Sequence, residues 1–152
     1  MDEHSALMDE AHHVRQALST GDQTLAMARI ARLVGHLERH VGREEAGIFS
    51  ALRDKGEFLE ELTELEAEHR QFDQTITALN SRDPDFADRV IRLLDDLGEH
   101  VEREDLGIFP VSVVSLGAAG WQVVDRARTE SPSFLLDPSA PDVLGEPARG
   151  PV

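Results

Sequence analysis

The chain has 152 residues, enough to bury the core of one domain. It contains no cysteine, which excludes disulfides, thiolate zinc sites and iron–sulfur clusters and fits a reducing compartment. Its formal net charge is -15, from 30 acidic and 15 basic residues, which argues against nucleic acid and anionic membrane surfaces as partners. No apolar run approaches the roughly 18 residues of a membrane span. The acidic start Met1-Asp2-Glu3-His4 has the wrong sign for a secretion signal, so a cytoplasmic location is expected.

The apolar pattern is helical almost throughout. A first helix is predicted over residues 2–19, where Ser19-Thr20-Gly21-Asp22 reads as a stop, a turn and a new N-cap. A second runs over 22–54 and ends near Lys55-Gly56, and a third runs over 57–80. Asn80-Ser81-Arg82-Asp83-Pro84-Asp85 is a turn leading into a fourth helix over 85–109, stopped around Pro110. A shorter fifth helix is expected within 117–130, carrying Trp121, Val123 and Val124. From 131 to 152 the composition turns Pro/Ala/Gly-rich and reads as an extended or disordered tail without a periodic apolar face. Removing that tail is expected to leave the preceding unit, residues 1–130, unchanged.

Within this pattern one segment recurs. His40-Val41-Gly42-Arg43-Glu44-Glu45-Ala46-Gly47-Ile48-Phe49-Ser50 returns as His100-Val101-Glu102-Arg103-Glu104-Asp105-Leu106-Gly107-Ile108-Phe109-Pro110, with seven positions identical. Apolar residues precede both copies at the same offsets, Ile30, Leu33, Val34 and Leu37 against Val90, Leu93, Leu94 and Leu97. Two homologous helix pairs of this kind pack as an all-α, up-down four-helix bundle with pseudo-twofold symmetry. Residues four apart share a helix face, so each copy turns an imidazole and a carboxylate inward together.

The third helix contributes one histidine, His69, on the stripe of Leu62, Leu65, Phe72, Ile76 and Leu79. The first helix offers His4, His12 and His13. The centre of its apolar face lies roughly 35° from His4, against about 115° for His12 and about 145° for His13. Register agrees: His40 is about 18 residues after the turn, His4 about 15 before it and His12 only about 7. His4 is therefore the expected partner, with His12 and His13 in solvent. His36, one turn before His40, reads as a residue of the pocket rim or outer shell, or as an alternative ligand. Asp96, at the same offset in the second copy, is positioned to accept the free N–H of His100. Glu45 and Asp105 point about 100° further round and read as surface or outer-shell groups, although an aspartate five residues after a histidine could also ligate.

The candidate metal ligands are thus His4, His40, Glu44, His69, His100 and Glu104. Four imidazoles and two carboxylates suit two divalent ions. Iron fits this borderline donor set well, and manganese, cobalt or zinc are also compatible. Six ligands leave coordination positions open to small molecules, next to Ile48, Phe49, Ile108 and Phe109.

With these residues in place, residues 2–110 resemble the hemerythrin-like HHE cation-binding family. The order H…HxxxE…H…HxxxE falls on His4, His40, Glu44, His69, His100 and Glu104. The pairs Glu3-His4 and Glu68-His69, and the segment endings E-[ED]-x-G-I-F-[PS], match as well. The resemblance implies a four-helix bundle holding a non-haem di-iron centre, two iron ions bridged by carboxylates. It implies a small partner: dioxygen, nitric oxide or peroxide. Oxygen carriers of the family have a further histidine on the third helix. Here the positions four residues either side of His69 are Leu65 and Asp73, so reversible oxygen transport does not follow.

Three readings of function remain. The first is a protein that binds or senses a gas or oxidant. The second is an enzyme consuming peroxide or nitric oxide. The third is a structural bundle with zinc or no metal, disfavoured because buried histidines and glutamates without a metal are costly. The chain has no tyrosine, which weighs against long-range radical chemistry.

Overall fold

The computed structural model describes residues 3–130 and 133–136. Four long helical arms form the bundle, and no strand occurs among the described residues. The first arm is α1, Glu3–Ser19. After the left-handed Gly21 (φ 75°), Asp22 caps the second arm by accepting from the Leu25 N–H at 3.0 Å. That arm joins α2 (Gln23–Glu44), a wide π-turn (Glu45–Phe49) and α3 (Ser50–Lys55), and ends at Gly56 (φ 71°). The third arm is α4, Leu59–Ala78. The fourth joins α5 (Phe86–Arg103), a second π-turn (Glu104–Ile108) and α6 (Phe109–Ser115). A fifth helix, α7 (Ala118–Glu130), follows as the sequence predicts.

Pro110 does not stop the fourth arm, which continues to Ser115. Inside a regular helix the ring would clash with the carbonyl four residues back. Here the wide turn ends just before it. Pro110 falls in the first turn of the resumed helix, where a proline is tolerated.

The core is two apolar clusters. One holds Leu7, Val14, Leu33, Leu37, Phe72, Leu94 and Leu97. The other holds Phe49, Leu52, Leu62, Leu65, Ile108 and Val124. Along the second, third and fourth arms the clusters occupy opposite ends, and the buried Glu44, His69 and Glu104 lie between them. Helix α7 packs on the first π-turn and on α3.

The tail differs from expectation at its start. Phe134–Leu136 form a 3-10 turn, and Phe134 is 1% exposed within the first cluster. A single aromatic in a Pro-rich stretch has no period to betray it, yet its ring area alone makes burial favourable. The remaining tail positions, 131–132 and 137–152, lie outside the described residues.

Candidate metal centre

All six predicted ligand residues converge. They form two groups of donors, His4–His40–Glu44–Glu104 and Glu44–His69–His100–Glu104, in each of which the donor atoms lie within 4.8 Å of one another. Both glutamates belong to both groups. The Nε2 atoms of His4 and His40 are 3.1 Å apart, and those of His69 and His100 are 3.0 Å apart. Two nitrogens bound to one ion at roughly 2.1 Å and at right angles would lie about 3 Å apart, so each pair has the bite of a chelate. Glu44 spans the two pairs, its Oε2 3.1 Å from His40 and its Oε1 3.1 Å from His69. Glu104 Oε1 is 3.3 Å from both His4 and His100.

The fit to cations rests on the oxygens. Both oxygens of Glu44 and of Glu104 are buried without a hydrogen-bond partner. Buried carboxylates left in that state are expensive, and two cations between the imidazole pairs would satisfy them. The field of the cage points the same way. Burial disfavours a charged His4, but Glu104, Glu44 and Asp105 overcome it and push its pKa up to about 11. His40 is likewise held up at about 9 by Glu3 and Glu44 against burial. His69 is raised by Glu44 and Glu45 against the same penalty. Burial also opposes the ionised Glu44, yet the Glu104 carboxyl and the imidazoles of His4, His40 and His69 hold it well below the usual carboxylate range. Without metal, protons supply the positive charge that the cage demands.

An outer ring of acids orients the imidazoles, each from a neighbouring helix. His40 Nδ1 donates to Glu3 at 2.9 Å and His100 Nδ1 donates to Glu68 at 2.5 Å. His4 Nδ1 donates to Asp105 at 2.7 Å and His69 Nδ1 donates to Glu45 at 3.1 Å. With Nδ1–H committed outward, Nε2 is left to face the centre. Arg43 holds Glu3 at 2.6 Å, and Arg103 holds Glu68 in the other half. The first π-turn follows immediately on Glu44 and the second opens at Glu104, and they carry Glu45 and Asp105 towards the opposite pair.

Several expectations are met and others corrected. Glu45 and Asp105 contact the outward nitrogens of His69 and His4 and belong to neither donor group. His12 is exposed and His13 half-buried, and neither is in a ligand group. Asp96 is exposed and does not serve His100, whose Nδ1 is turned across to α4 and Glu68. His36 is buried away from the centre: its Nδ1 donates to Glu10 at 2.5 Å, and its ring lies 4.2 Å from Phe134 at 5°. The roles of Glu3, Glu68, Arg43 and Arg103 went unread, although the repeated Glu-His pair and the arginine shared by both copies were the available signals. Of the apolar residues expected beside the open positions, Phe109 stacks on His4 at 5.2 Å and Phe49 on His69 at 5.7 Å. A cavity of about 280 Å³ opens onto His4, His40 and Glu44 past Ile48, Phe109 and Val124. Of the six ligand residues, only these three line it.

No helix among the described residues is long and apolar enough to cross a membrane. Neither a curated protein nor a solved structure matches the chain. The model of the hemerythrin HHE cation-binding domain matches residues 1–112. That span holds all six donors and most of the chain, and the chain belongs to the hemerythrin HHE cation-binding domain family.

Proposed function

We propose that this chain is a non-haem di-iron protein that binds or reacts with a small oxidant or gas: dioxygen, nitric oxide or peroxide. The observation that carries the reading is the sharing of Glu44 and Glu104 between two histidine pairs, which suits two ions held by common carboxylates. His4, His40, His69 and His100 would hold the ions from outside, one imidazole from each arm. The mixed nitrogen and oxygen donors favour iron among the first-row metals available to such a site. Iron supplies one-electron chemistry with these ligands. The protein's part is to fix imidazole orientation through the acid ring, to exclude water with Phe49 and Phe109, and to admit small molecules past Ile48 and Val124. The cysteine-free composition suits a reducing, cytoplasmic setting.

The test is elemental analysis of protein from iron-replete cells, followed by visible spectra of the reduced protein with dioxygen, nitric oxide and peroxide. Close to two irons per chain and a new band with one of the three support the reading. Zinc alone, or one iron, overturns it. Sustained dioxygen release from peroxide would place the chain among the enzymes rather than the binders.

A further inference from the structure

The two halves of the centre are built alike inside the repeat and differently outside it. In the second half, Glu68 orients His100 and is held by Arg103 from within the repeat. In the first half, Glu3 orients His40 and is held by Arg43, and a third group reaches it from far along the chain: the Ser133 hydroxyl donates to the Glu3 carboxylate. Ser133 is itself fixed. Its oxygen accepts from the Leu135 N–H at 3.2 Å, and the next residue, Phe134, is 1% exposed and lies parallel to His36, one turn before His40 on α2. Glu3 and His4 form the first turn of α1, which in an isolated helix frays. Ser133, Phe134 and Leu135, which strap this half, lie beyond the region that the family model matches.

We propose that Ser133 is a positioning residue for the His4–His40 half of the metal centre, seated by Phe134 and acting through Glu3. The strap makes two halves that the repeat builds alike unequal in metal affinity. The inference rests on the two-ion reading above. Groups that orient a metal-bound imidazole typically change affinity by about 10–100-fold, and Ser133 acts one bond further out, so an effect near the lower end is expected.

The experiment is titration of the metal-free full chain with cobalt(II), followed by visible absorption and calorimetry. Wild type should take two ions in resolvable steps. Ser133→Ala should weaken one step by about tenfold and leave the other unchanged, and Ser133→Thr, which keeps the hydroxyl, should restore it. The metal-free melting temperature of Ser133→Ala should stay within a few degrees of wild type, because the serine contributes little to the core. Arg103→Ala, which frees Glu68, should weaken the other step. Equal weakening of both steps by Ser133→Ala, no weakening of either, or the same step affected by both variants would overturn the inference alone. A wild-type chain that takes one cobalt or none would sink the two-ion reading, and the inference with it.

Discussion

At the scale of single residues the centre is defined by what its carboxylates lack. Glu44 and Glu104 are buried with no hydrogen-bond donor on any oxygen, and each faces histidines of both pairs. If the centre holds two ions as proposed, Glu44→Ala should strip both rather than one, since each pair loses a shared ligand and two cations lose the charge between them. His12→Ala should retain both, because His12 is exposed. Elemental analysis after gel filtration separates the outcomes. Retained metal in Glu44→Ala would show that the pairs bind independently. The titration of the metal-free protein carries a second expectation. His4 and His40 are raised from 6.5 to about 11 and about 9. A group whose folded pKa is raised stabilises the fold fully below its unfolded value and loses that contribution as pH rises through the folded value. Metal-free protein should thus melt at progressively lower temperature from about pH 7 towards pH 10. At neutral pH, metal uptake should release protons, visible as a pH drop in weak buffer. A metal-free melting temperature that climbs across the same range would contradict the field described for the cage.

The elements that do most for the site are the two π-turns, and they were not legible. Each adds one residue to a turn at or directly after a candidate ligand glutamate, which re-aims the acid that follows it. The repeated E-[ED]-x-G-I-F segment announces that something is shared, but hydrophobic period does not distinguish a helix with one wide turn from a regular helix. The same insensitivity led Pro110 to be read as a stop. Internal symmetry breaks at the glycines of these turns. A methyl on Gly47 would meet Ala127 Cβ at 3.4 Å, because α7 lies across it, whereas Gly107 has nothing within 4 Å. Gly47→Leu should push α7 away and cost about 1–3 kcal/mol, the usual range for overpacking. Gly107→Ala should be neutral or stabilising by up to about 1 kcal/mol, as for glycine replaced inside a helix. Denaturant melts of the two variants give the comparison, and equal destabilisation would mean that α7 is not seated on Gly47.

At the scale of the whole molecule, the fold was readable because repeat and period agree at every level. Matching apolar offsets before His40 and His100 fix two like pairs, and the inward faces of four arms then name the six residues that converge. What stayed hidden depends on pairing between helices. Glu3 serves His40 and Glu68 serves His100, partners set by packing rather than by spacing within one element. Phe134 stayed hidden for a related reason, since one aromatic in a proline-rich stretch carries no pattern. Its burial reverses the expectation for truncation. Ending the chain at residue 131 removes a fully buried ring from the first apolar cluster, comparable to a large-to-small core substitution of about 3–5 kcal/mol. It also removes the hydroxyl that holds Glu3. The shortened chain should melt well below the full chain in the metal-free state. Saturating metal should recover part of the loss, because ligand binding to the native state adds about 4 kcal/mol at a thousandfold excess over Kd. Ending the chain at residue 136 instead keeps Phe134 and should preserve the full-length melting temperature. If both truncations melt alike, the residues that matter to stability are not those between Ser133 and Leu136, and Phe134 contributes no net burial to the bundle.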